Sequence, residues 1–168
     1  MHGTDIDDKN LSFAQKNVDL NNLSSEIKIH RSTADGPLFP LTTLETERLD
    51  FTMCNPPFYI SKEEIAELAA NKAKPPRGIN TGADIEMICP GGDAGFVLRM
   101  IEESQKLTTK VQWYSSMLAR FASVDTVIRK LKQVGITNFA VTSLSAGGNT
   151  RRWAVAWSFD DRRPRHVS

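Results

Sequence analysis

Charge of a single sign is scarce in this sequence of 168 residues: 21 Lys and Arg face 20 Asp and Glu, a formal net charge of +1. A uniformly basic surface is excluded, so any nucleic-acid binding must come from local patches. Long apolar runs are missing too, and no stretch approaches the roughly eighteen residues of a membrane-spanning helix. The opening MHGTDIDDKN is polar and acidic, unlike a secretory leader. Cysteine is rare: Cys54 and Cys89 build no disulfide framework, and neither lies in a Cys-x-x-Cys pair. His2, His30 and His166 have no ligand-like spacing, so no metal is expected. The expected setting is reducing and intracellular. What the chain does have is apolar content, 40% of residues against 24% charged, enough for one domain with one core.

Strand-like and helix-like segments alternate, the mark of an α/β sheet. Residues 3–6 read as the end of a strand. Asp7, Asp8 and Asn10 start a helix whose apolar face is Leu11, Phe13, Ala14, Val18 and Leu20. Residues 26–31 alternate as a strand does, and 49–54 form an apolar run stopped by Asn55-Pro56-Pro57. Ser61 and Glu64 have the spacing of a capping box for a helix ending near Asn71. Residues 72–90 read as a long loop, 92–106 as a helix, 110–118 as a strand and 123–134 as a helix ended by Gly135. Residues 136–144 and 151–159 read as a closing antiparallel hairpin, in which Trp153 and Trp157, like Trp113 of the 110–118 strand, are expected to pack in the core.

The sharpest chemical feature is Asn55-Pro56-Pro57-Phe58 directly after a buried strand, because ligands of open α/β sheets lie beyond strand carboxyl ends. Each proline holds the residue before it extended, which aims Asn55 and the Pro56 carbonyl rigidly. Two such oxygens can accept both hydrogens of one NH2 group. Phe58 offers a flat face for a base, worth about 1–3 kcal/mol of stacking. The chemistry implied is attack by an amino or amide nitrogen on a methyl donor. The plainer reading is a Pro-Pro turn with Asn as a local cap. Asp5, between strand and helix, has the position of a ribose-binding carboxylate, or of a helix cap. Lys72, Lys74, Arg77, Arg151, Arg152, Arg162, Arg163 and Arg165 suit phosphate contacts, or simply a solvated surface.

Taken together, MCNPPFY, NTGADIEMICPGGDAGFVLRMIEES, WYSSMLAR and NTRRWAVAWSF resemble the adenine-N6 RNA methyltransferases of the methyltransferase-like protein sixteen family, and their bacterial relatives that act on large-subunit ribosomal RNA. The resemblance covers residues 3 to 159. It implies a class I, Rossmann-like S-adenosylmethionine-dependent methyltransferase domain over 1–159, with a basic tail at 160–168. It implies that Asn55, Pro56, Pro57 and Phe58 are catalytic. Asp5, Asp35, Gly36 and Asn55 would bind the cofactor, and Lys74, Arg77 and Arg152 the RNA. Asn149 stands where relatives often carry Arg.

The family's first strand and its Asp-x-Gly-x-Gly turn would precede Asp5, and this sequence has no such turn before it. The resemblance thus implies a domain truncated at its N-terminus, with two strands separated from the other four or forced to re-pair around the gap. Its activity would be transfer of methyl to an adenine extruded from structured RNA. The alternatives are an inactive or RNA-binding remnant, or an amino-methyltransferase acting on DNA adenine or protein glutamine. A nuclear location is implied for a eukaryotic source and a cytoplasmic one for a bacterial source. No secretion and no membrane partner are expected.

Overall fold

The computed structural model describes residues 1–41, 47–70, 87–145 and 151–163. The chain divides into two compact units, Met1–Glu47 and Arg48–Ser168. In the first unit β1 (His2–Asp5) and β2 (Lys28–Arg31) pair in parallel, with Asp5 opposite Arg31, and α1 (Asp8–Leu20) links them. Asp7 starts α1, its side chain accepting the Asn10 N–H at 3.0 Å. The expected apolar face is only partly right: Leu11, Ala14 and Val18 turn inward, but Phe13 is 55% and Leu20 80% exposed. A helical face follows the i, i+3, i+7 spacing of Leu11, Ala14 and Val18, which Phe13 and Leu20 do not share. His2 and His30 prove to be neighbours across the two strands, Nδ1 to Nε2 at 3.0 Å with stacked rings.

The second unit holds a four-stranded sheet ordered β3-β4-β6-β5. Its elements are β3 (Leu49–Phe51), α2 (Lys62–Ala70), α3 (Gly92–Leu107), β4 (Val111–Leu118), α4 (Phe121–Gln133), β5 (Asn138–Ser145) and β6 (Arg151–Ser158). β3 runs parallel to β4, while β6 is antiparallel to both β4 and β5. The expected hairpin is present, and of the two arrangements expected for the strands the separation of two from four is the one found. Side chains alternate along β4 and β6, which places Tyr114, Leu118, Val155 and Trp157 on one face. All four are fully buried, with Val97, Met100 and Ile101 of α3 and Val127 and Leu131 of α4. Trp157 stacks on Tyr114 at 5.6 Å and donates its indole N–H to Ser104 Oγ at 3.0 Å. Ser104 in turn donates to the Ile101 carbonyl, so this buried polar pair is satisfied within the core. Trp113 and Trp153 are only half-buried, short of the expected core positions.

Regular β3 pairing ends at Phe51, earlier than the apolar run to Cys54 suggests. The contact with β4 continues in another form. Thr52 N–H donates to the Trp113 carbonyl at 2.9 Å, Ser115 Oγ donates to the Thr52 carbonyl at 2.6 Å, and Met117 N–H donates to the Cys54 carbonyl at 2.9 Å. The chain therefore stays tied to β4 up to Asn55. Helix α4 starts two residues before the expected position. Residues 160–163 are fastened to β5 through Asn138, which donates to the Asp160 carbonyl and accepts from Arg163 Nε at 3.0 Å.

Candidate active site

Asn55-Pro56-Pro57-Phe58 begins where the chain leaves the edge of β4, beyond the carboxyl end of β3. Pro56 is fully buried, while Asn55 is exposed and has no hydrogen bond to another described residue. The proline anchors the turn in the protein, and the neighbouring amide bonds to none of the described residues. Behind Asn55, burial pushes the Cys54 thiol up to about 11, offset in part by the Ser116 hydroxyl. At pH 8 such a thiol carries roughly a hundredfold less thiolate than a free cysteine. Mass spectrometry after brief iodoacetamide treatment at pH 8 should find Cys54 unmodified in the folded protein. Rapid labelling would show that this segment opens readily.

Two structures hold the far side of the motif. Tyr59 N–H donates to the Met87 carbonyl and Cys89 N–H to the Tyr59 carbonyl, both at 2.9 Å. The expected capping box is present with a one-residue offset: Glu64 N–H donates to Ser61 Oγ at 3.2 Å, and Glu64 Oε2 accepts the Ile60 N–H at 2.7 Å. The Ile60 N–H, and after it the Arg120 guanidinium, hold the Glu64 carboxyl below the usual carboxylate range.

The sequence reading missed the support beneath Phe58. Gly91 and Gly92 have φ of +75° and +59°, values that side chains rarely adopt. A Cβ on Gly92 would lie 3.0 Å from the Phe58 carbonyl oxygen. Asp93, next in the chain, is 3% exposed. Its Oδ2 accepts the Ala119 N–H at 2.6 Å and its Oδ1 accepts Ser123 Oγ–H at 2.7 Å and the Ala94 N–H at 2.8 Å. One carboxylate thus joins the start of α3 to the corner between β4 and α4. The only advance signal was a Gly-Gly-Asp run opening a helix.

Of the basic residues, Arg152 stands at the motif: its guanidinium carbon is 5.4 Å from the Phe58 ring centroid. Trp153 turns to the other side of β6, edge-on to Phe121 at 6.1 Å. Lys72, Lys74, Arg77 and Asn149 lie outside the described residues. In the first unit, Asp5 Oδ1 accepts the Ile6 and Asp7 N–H groups at 2.7 and 2.9 Å. Among the described residues its Oδ2 has a single long contact, 3.5 Å from Asn10 Nδ2. Asp7 is the helix cap, which leaves Asp5 a fixed carboxylate with one oxygen largely unused. Asp35 is exposed, and the Gly36 N–H closes a turn on the Thr33 carbonyl at 3.0 Å.

A family model described as RNA methyltransferase matches residues 1–161. A U6 small nuclear RNA (adenine-(43)-N(6))-methyltransferase of Schizosaccharomyces pombe is 38% identical over 162 residues, 96% of this chain and 40% of that protein. The crystal structure of the hMettl16 catalytic domain in complex with MAT2A 3'UTR hairpin 1 has a TM-score of 0.84 and 35% identity, covering 95% of this chain and 55% of that one. The N-terminal domain of human METTL16 in complex with SAH has a TM-score of 0.71 and 32% identity, covering 95% and 52%. The chain spans 40% of the fungal relative's length.

Proposed function

Since the chain belongs to the RNA methyltransferase family matched over residues 1–161, and shares the α/β methyltransferase fold of its solved relatives, we propose that it methylates the N6 of an adenine extruded from structured RNA. The observation that carries this reading is the exposed Asn55 amide, without a partner among the described residues, on a buried proline anchor beside the half-buried ring of Phe58. S-adenosylmethionine, when bound, supplies an electrophilic methyl group on a sulfonium. Asp5 suits its ribose, because one carboxylate oxygen is already fixed by two backbone N–H groups and the other is left to accept from a hydroxyl. Asp35 and Gly36 are assigned to its adenosine end.

The adenine amine is a weak nucleophile because its lone pair is delocalised into the ring. Asn55 Oδ1 and the Pro56 carbonyl accept its two hydrogens and favour a localised lone pair aimed at the methyl. Phe58 stacks on the base and offsets part of the few kcal/mol needed to extrude it. Asn55 and Pro56 hold the amine while it takes the methyl group, until its proton passes to water; the C–S bonding pair stays with the cofactor's thioether leaving group. Lys74, Arg77 and Arg152 are assigned to RNA phosphates. On this reading the protein works where small nuclear RNA is, in the nucleus.

The test is transfer of a labelled methyl group to an RNA hairpin, duplex DNA and a glutamine-containing peptide. It should use both the chain and a chimera in which residues 1–161 replace the matched stretch of the fungal relative. The chimera should methylate only the RNA, and replacing Lys74 and Arg77 together should raise its RNA KM and flatten the salt dependence. Transfer to DNA or peptide instead would reject the assignment. A chimera that binds cofactor but transfers nothing would favour the inactive remnant.

A further inference from the structure

Arg152 is placed unlike other cations of this unit. Arg120 pairs with Glu64, Lys130 with Glu102, and Arg162 with Asp160. Among the described residues Arg152 has no carboxylate partner. Its Nη1 donates to the neighbouring Arg151 carbonyl at 3.0 Å, and Leu144 stands opposite it on β5. Its charge instead lies over the face of Phe58. A guanidinium is flat, cationic and weakly hydrated, and it stacks on aromatic faces as a base does. It therefore occupies the surface that an incoming base requires.

Resting on the reading of Phe58 as the base platform, we propose that Arg152 determines specificity by covering that platform until a phosphate draws it away. Base-on-aromatic stacking outweighs an exposed cation–π contact, so the exchange is favourable once the guanidinium has another place to go. RNA provides that place, because a phosphate accepts charge-assisted bonds from the displaced guanidinium. A free nucleoside brings a base but no phosphate, and must displace Arg152 without compensation. The site thus favours adenine in a polynucleotide over free adenosine. The displacement also moves a fixed positive charge away from an amine that gains positive charge as the methyl arrives.

The test compares two ligands on the unaltered protein, Arg152→Gln and Arg152→Lys. The first is 2-aminopurine riboside, whose fluorescence falls on stacking. The second is an RNA hairpin titrated at several salt concentrations. Arg152→Gln should bind the riboside about two- to fivefold more tightly, the equivalent of losing an exposed cation–π contact. The same variant should bind RNA more weakly, with a salt slope lower by about 0.7 to 0.9 for one lost phosphate contact. Arg152→Lys should keep the salt slope, and serves as the second variant if glutamine disturbs β6. Opposite shifts for the two ligands support the proposal. Parallel weakening of both, or unchanged riboside binding, overturns it and makes Arg152 a simple RNA contact. Phe58→Ala separates the two levels: if it leaves riboside quenching intact, the platform itself has been misassigned.

Discussion

Asn55→Ala should lower kcat for methyl transfer at least about a hundredfold while leaving RNA affinity within a few-fold. On the proposed assignment, the magnitude follows from removing one of two groups that accept from the reacting amine, the electrostatic counterpart of deleting an oxyanion-hole donor. The selectivity follows from position. Asn55 is exposed and bonds no other described residue, so its loss removes nothing from the core, and surface changes of that kind stay within about 0.5 kcal/mol of stability. Pro56 remains buried and continues to present its carbonyl. The measurement is single-turnover transfer from labelled cofactor with saturating RNA, beside a filter-binding isotherm. Asn55→Asp sharpens it, because a carboxylate still accepts the amine hydrogens and should retain part of the rate. Equal loss of binding and turnover in Asn55→Ala would make the residue an RNA contact.

The motif was legible because its signals are local. An apolar run, two prolines and an aromatic fix a strand exit with little help from the rest of the chain. The caps were legible for the same reason: Asp7 bonds Asn10, and Ser61 bonds Glu64, each within one turn. Asp93 was not, because the groups that explain it, the Ala119 N–H and the Ser123 hydroxyl, lie 26 and 30 residues further on. Nor was the place of Arg152 over Phe58, which depends on β6, and not β5, being the strand inserted next to β4. Strand alternation puts Arg152 and Trp153 on opposite sides of β6 but does not say which side faces the motif. The length of β3 was misjudged because Thr52 and Cys54 stay tied to β4 partly through the Ser115 and Ser116 hydroxyls instead of a regular ladder.

The same buried carboxylate supports the largest expected loss of stability. Asp93→Ala should lower the melting temperature by roughly 5 to 28 °C, at 2–4 °C per kcal/mol for a chain of this size. The substitution leaves the Ala119 N–H and the Ser123 hydroxyl without their acceptor, each costing about 1–3 kcal/mol when buried. A further loss of about 0.3–1 kcal/mol comes from removing an acidic side chain from the first turn of α3, where it meets the positive end of the helix dipole. Together these approach a large fraction of the 5–15 kcal/mol that typically holds a domain folded. Asp93→Asn should fall between: with its amide oxygen on the Ala119 N–H, its NH2 can donate to Ser123 Oγ, but the Ala94 N–H then loses the acceptor it has in Oδ1. Ser123→Ala should cost less than either, since it removes a donor together with its need for a partner, and the double substitution Asp93→Ala/Ser123→Ala should be less than additive. The effect should reach the active site. Asp93 fixes the start of α3, and Gly92 packs against the Phe58 carbonyl. Well below its melting point, Asp93→Asn should therefore bind RNA with a raised KM even though the residue is buried away from the ligand. A fall of less than about 2 °C in Asp93→Ala would correspond to under 1 kcal/mol. It would mean that water satisfies both donors and that the corner between β4 and α4 is held by other contacts.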